Sequence, residues 1–147
     1  MKDVSITIKT TLDPDTEEHI SDSTETRGKY FYSEERSYIK YTEQTSDMGE
    51  MISNIDIFPD RVEIRRHGSV KCKMTLIEKK LVPFSYDTPY GSIDMSLRAE
   101  EISADLSESG GTLMLRYDVF SADEKISTSE ILFNITELQR ISYGKSY

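Results

Sequence analysis

The chain is poor in the residues from which common catalytic and metal sites are made. One cysteine, Cys72, stands among 147 residues, which excludes an internal disulfide and a multi-cysteine zinc site. Tryptophan is absent, and the two histidines, His19 and His67, stand in no metal-ligand spacing. The serines form no Gly-x-Ser-x-Gly elbow. Glycine is scarce, and the Gly110-Gly111 pair reads as a hairpin turn rather than a phosphate cradle. Uninterrupted apolar runs reach two or three residues, far short of the roughly 20 that a membrane-spanning helix needs. Met1 to Leu12 lacks the apolar core of a secretion signal. With the lone thiol, this sets the expectation of a reducing, cytoplasmic location and no membrane insertion.

Positive charge is also in deficit. Lysine and arginine number 18 against 27 acidic residues, for a formal net charge of −9. Nucleic-acid binders draw much of their affinity from a basic footprint, so nucleic acid is not an expected partner. The densest basic stretch, Arg61, Arg65, Arg66, Lys71 and Lys73, is interrupted by Glu63 and reads as a solvated outer sheet face. Asn134-Ile135-Thr136 matches a glycosylation triplet but falls inside a strand pattern, where it reads as chance.

What the chain does have is alternation. Val4, Ile6 and Ile8 alternate with Ser5, Thr7 and Lys9. Val70, Cys72, Met74 and Leu76 repeat the pattern, as do Leu113, Leu115, Tyr117 and Val119, and then Ile131, Phe133 and Ile135. A period of two puts one row toward a core and the other toward water, the mark of half-buried strands. Turn signals separate the runs: Asp13-Pro14-Asp15, Pro59-Asp60, His67-Gly68-Ser69, Asp87-Thr88-Pro89 and Glu108-Ser109-Gly110-Gly111 among them. Strands are expected over Val4–Leu12, His19–Tyr32, Tyr38–Gln44, Met51–Phe58, Arg61–Arg66, Val70–Ile77, Val82–Tyr86, Gly91–Glu100, Thr112–Phe120 and Ile126–Glu137. Ala99–Leu106 has a helix-favouring composition, yet Ile102, Ala104 and Leu106 alternate with polar residues, so it reads as a strand continuation.

No gap between these runs holds a crossover helix, so successive strands pair antiparallel. Strands with one apolar face each need a sandwich or a barrel, and consecutive hairpins favour an up-and-down barrel that closes its own edges. The expectation is an all-β, single antiparallel barrel of about eight to ten strands over residues 1–139, with a polar tail over 140–147.

Phe84-Ser85-Tyr86-Asp87-Thr88-Pro89-Tyr90-Gly91 resembles the hallmark of the YwiB-like family of bacterial β-barrel proteins. Gly28-Lys29-Tyr30, Tyr38-Ile39-Lys40-Tyr41-Thr42-Glu43, Val62-Glu63-Ile64-Arg65-Arg66-His67-Gly68 and Leu115-Arg116-Tyr117 agree with it in order. The resemblance runs from about Asp3 to Leu138. It implies a lipocalin- or calycin-like barrel and supplies no reaction. The Gly-x-Trp of lipocalins proper is missing, so ligand transport enters by analogy of fold alone.

Four features bear on function. Tyrosine, with an apolar body and a polar tip, recurs at Tyr30, Tyr32, Tyr38, Tyr41, Tyr86, Tyr90 and Tyr117; such a set serves a pocket or an ordinary core with wet ends. Glu43 continues the apolar row of Ile39 and Tyr41, and Arg66 that of Val62 and Ile64. A carboxylate inside a barrel needs a partner, so Glu43 is expected to pair with Arg66 or a tyrosine hydroxyl. The second strand has no apolar row over Ser21–Thr26: it is either a sheet edge or lines a polar cavity with Asp22, Thr24 and Thr26. The Thr88-Pro89-Tyr90-Gly91 corner either packs Tyr86 and Tyr90 over a barrel end or forms a rim that gates a cavity, with the packed corner preferred.

The preferred reading is a barrel that binds one small apolar or amphipathic ligand, with Tyr41, Glu43, Arg66, Tyr86, Tyr90 and Tyr117 as candidate contacts. The pocket rows would be Ile8, Tyr41, Ile55, Ile64, Cys72, Met74, Met95, Leu115, Tyr117 and Phe133. The rivals are a filled barrel acting through its surface, as a homodimer or with another protein, and an enzyme built on the Glu43–Arg66 cluster. No catalytic set, metal site or cofactor site is expected.

Overall fold

A computed structural model describes residues 1–45 and 49–138. The strands are β1 (Lys2–Leu12), β2 (Ile20–Phe31), β3 (Ser37–Thr45), β4 (Gly49–Ile57), β5 (Val62–His67), β6 (Lys71–Leu76), β7 (Leu81–Thr88), β8 (Gly91–Ser107), β9 (Gly110–Ser121) and β10 (Glu124–Glu137). The described residues contain no helix, and so none long and apolar enough to cross a membrane. Each strand pairs antiparallel with its sequence neighbour, and β1 closes the barrel on β10 from Val4↔Glu137 to Leu12↔Ser129. This is the all-β, up-and-down barrel that the alternation and short turns require. The boundary expected near residue 139, and the tail beyond it, lie outside the described residues.

The stretch of doubtful composition is strand. β8 runs unbroken through Ala99–Leu106, with a bulge between Ala99 and Glu101. The bulge restores the phase, so that Ile102 and Ala104 stand opposite Leu115 and Leu113 of β9. Packing on the inward row overrides the local helix preference.

The interior is not uniform along the barrel axis. At one end, which carries the β2–β3, β4–β5, β6–β7 and β8–β9 turns, the inward rows fill the space. Val4, Ile6, Tyr30, Ile39, Val62, Leu76, Leu97 and Leu113 are all fully buried there. Burial of such a side chain is worth about 1.5–3 kcal/mol. The Tyr30 hydroxyl donates to the Ser107 carbonyl at 2.6 Å, satisfying the one polar tip this layer contains.

The other end is the mouth. β2 stays paired to β1 along its whole length but meets β3 only over Gly28–Phe31. Gly28 marks the crossing. A Cβ there would lie 2.4 Å from the Lys40 carbonyl oxygen and 2.8 Å from Ile6 Cδ1, so only glycine lets the strands approach this closely. Beyond it, among the described residues, the β2–β3 ladder gives way to a side-chain bond from Thr26 Oγ1 to the Thr42 carbonyl at 3.2 Å.

Candidate functional site: the cavity at the barrel mouth

Following the inward rows from the filled end toward the mouth, apolar side chains give way to polar ones one step at a time. On β3 the order is Ile39, Tyr41, Glu43; on β5 it is Val62, Ile64, Arg66; on β9 it is Leu113, Leu115, Tyr117. The change opens a cavity of about 210 Å³. Its floor is Ile8, Ile55, Ile64, Met74 and Phe133, and its upper wall is Thr10, Asp22, Thr24, Tyr41, Glu43, Arg66, Tyr86, Tyr117 and Ile131.

Five of the candidate contacts, Tyr41, Glu43, Arg66, Tyr86 and Tyr117, therefore line one space. Tyr90 does not. It sits in the two-residue turn between Thr88 and Gly91 and is 98% exposed. Thr88 Oγ1 donates to the Gly91 carbonyl at 2.8 Å and accepts from the Tyr90 amide at 3.2 Å, which holds the backbone while the ring points away from the barrel. The expected packing of Tyr90 over the barrel end is thus corrected. Cys72, Met95 and Leu115 belong to the packed wall and not to the lining. For β2 both readings hold in part: Asp22 and Thr24 line the cavity, while the strand that carries them lacks a ladder partner on its β3 side among the described residues.

The expected pairing of Glu43 with Arg66 is present but loose, with Nη2 3.8 Å from Glu43 Oε1. That is beyond hydrogen-bonding range. Arg66 Nε is buried with no hydrogen-bond partner among the described residues. Directly across the β4–β5 pair from Arg66 is Ser53, fully buried. Its hydroxyl lies close to the Tyr41 phenol without forming a sound hydrogen bond. Ser53 escaped the sequence reading, although a hydroxyl between Met51 and Ile55 in an inward row is a visible signal.

Burial pushes the Tyr41 phenol up to about 12, and the neighbouring Glu43 carboxylate adds to the rise. Burial likewise raises Tyr86, Tyr117 and the Cys72 thiol, with the Arg66 cation pulling each the other way. At neutral pH the three phenols are uncharged and able to donate hydrogen bonds, and Cys72 is a thiol rather than a nucleophilic thiolate.

The outer wall treats its buried charges differently. Asp56 is met by Arg36 at 2.5 Å and Arg65 at 3.1 Å. Asp118 accepts from Thr128 Oγ1 at 2.6 Å and faces Lys125 and Arg98 at 3.4 and 3.5 Å. These carboxylates are matched on all sides, whereas the inward Arg66 is not. Among the described residues no cluster of three metal-ligating side chains occurs.

Fold and site together define a class: a closed up-and-down barrel, consistent with a calycin-like fold, that is filled at one end and hollow at the other. The chain belongs to the family described as Domain of unknown function (DUF1934), whose profile matches residues 6–132. The crystal structure of the YwiB protein from Bacillus subtilis aligns with a TM-score of 0.83 over 94% of this chain and 93% of that one. At 17% identity the likeness shows a shared fold. Among curated proteins no match is found.

Proposed function

We propose that the protein is a binding module that takes one small amphipathic molecule into the mouth half of its barrel. The observation that carries this reading is the internal contrast: inward rows of the same ten strands fill one end and leave about 210 Å³ at the other, apolar below and polar above. Ligand sites are concave, mostly apolar and fitted with a few convergent polar groups. Tyr41, Glu43, Arg66, Tyr86 and Tyr117 are the proposed contacts. A reducing, cytoplasmic setting suits the single buried thiol. The outward rows carry exposed Lys9, Arg65, Lys73 and Glu101, which speaks against a lipid-facing wall.

Self-association is the second reading. It is favoured by the exposed apolar side chains Ile20, Ile93 and Ile126 at the mouth end, each more than half exposed. Native mass spectrometry of the purified chain before and after denaturation tests both. An added small mass that leaves on denaturation is the expected result. A bare single-chain mass would count against a ligand, and a bare two-chain mass would replace the carrier reading with an interface.

A further inference from the structure

The mouth holds a buried cationic donor, Arg66 Nε, that no acceptor meets among the described residues. Nε and Nη2 share one edge of a guanidinium, the edge that grips a carboxylate two-pronged. In Arg66 that edge is weakly met: Nη2 has the Glu43 carboxylate at 3.8 Å, the Tyr86 phenol lies against the guanidinium, and the buried Nε has no partner among the described residues. The hydroxyls of Tyr41, Tyr86 and Tyr117 stay protonated in the same layer. An unpaired buried donor is destabilising, and on the outer wall Asp56 and Asp118 show that this chain otherwise saturates its buried charges.

We propose that the ligand of this cavity carries a carboxylate, which displaces Glu43 from the partly exposed Arg66 guanidinium and gives the covered Nε a partner as that side chain turns, above a short apolar body resting on Ile64 and Phe133. The proposal rests on the ligand-binding reading and adds the sign and class of the head group. Size limits the body. About 210 Å³ is the liquid volume of roughly seven waters, below the roughly 300 Å³ at which drug-sized pockets begin. A short-chain acid fits this space and a long-chain fatty acid does not. Glu43 and the exposed Asp22 are the counter-argument, since two acids beside one arginine would suit an amine. The unpaired atom, however, is a donor, and an amine would leave it unpaired.

The full chain is titrated with n-hexanoate, n-hexanol and n-hexylamine, and methyl shifts of Ile64 and Met74 are followed by NMR. Hexanoate is expected to bind about tenfold or more tightly than hexanol. Arg66→Met removes that preference, so that acid and alcohol bind alike. Glu43→Gln, which removes both a competitor for Arg66 and a like charge, raises the preference for hexanoate over hexanol several-fold. Equal binding of acid and alcohol, or tighter binding of the amine, overturns the carboxylate while the pocket stands. If none of the three binds, the ligand-binding reading falls and the carboxylate with it. The comparison of the three probes on the unsubstituted chain decides the matter even where a variant fails to fold.

Discussion

The two ends of this barrel are built from the same strands with the same inward alternation, yet one is a core and the other a vessel. At the filled end, Ile6, Ile39, Val62, Leu97 and Leu113 are all fully buried in one hydrophobic cluster. A few residues along the same rows, Tyr41, Glu43, Arg66 and Tyr117 leave room. The bulk of these side chains is not smaller, so volume alone does not hollow the mouth. Their polar tips, and the departure of β2 from β3 beyond Gly28, keep them from closing on one another. Strand closure thus fixes the barrel, and the composition of the last one or two inward positions decides whether its end is filled.

The filled end should pay for any loss of volume, and the contrast breaks if it does not. Leu113→Ala removes a fully buried side chain with no neighbouring space to absorb the change. It should cost about 3–4 kcal/mol by denaturant unfolding. Arg66→Met, at the mouth, should cost within about 1 kcal/mol, because it exchanges a loosely paired charge for an apolar chain. Equal losses at both sites would mean that the mouth is as much a core as the floor.

Alkaline pH loads both ends at once. Burial pushes Tyr30 at the filled end, and Tyr41 at the mouth, up to about 12. A phenol held neutral in the folded chain contributes stability that is fully present below its unfolded value near pH 10 and is lost as pH rises through about 12. For Tyr41, nine-tenths buried, the loss should be on the order of 2 kcal/mol. Phenolate absorbance of the nine tyrosines should therefore rise in two stages, the later one coinciding with unfolding. Tyr41→Phe should shift that unfolding to higher pH. A single stage near pH 10 with the fold intact would show that the buried phenols are open to solvent.

Filling the mouth sharpens the comparison from the other side. Ile64→Phe adds bulk to the cavity floor. Overpacking a full core typically costs about 1–3 kcal/mol, whereas here the change should fall within about 1 kcal/mol. It should also abolish the methyl shifts that hexanol induces. A large destabilisation would show that the cavity is closed in solution.

Much of this was legible in the residues. The alternation of Val4–Ile8 and Leu113–Val119, with turns at Pro14, Pro59 and Gly110, was enough for antiparallel strands, and the absence of crossover segments for a meander. Glu43 and Arg66 stood out because each continues an apolar row, and the structure places them on one cavity. Other features depend on partners far away in sequence. Ser53 acquires meaning only when β5 brings Arg66 opposite it. Asp22 and Thr24 read either as a sheet edge or as a cavity row until β1 sets them beside Thr10 and Ile8. Tyr90 failed for a local reason: in a two-residue turn the side chain follows the turn's direction and not the row's parity.

The smallest effect expected lies on the outer wall, which carries neither core nor cavity. Lys79 at 2.8 Å and Arg98 at 2.9 Å hold the partly exposed Glu100 carboxylate down to about 2. A depressed carboxylate contributes stability above its unfolded value near pH 4.5 and loses it as pH falls through about 2. Solvent screens this site, as it does most surface pairs, so Glu100→Gln should leave unfolding at pH 7 almost unchanged and flatten the acid limb slightly below pH 4.5. Glu100 marks the β8 bulge, where the pair register shifts between Ala99 and Glu101. If the substitution instead lowers stability at neutral pH by as much as Leu113→Ala, then the ion pairs hold the bulge in phase, and the floor of the barrel depends on its outer wall.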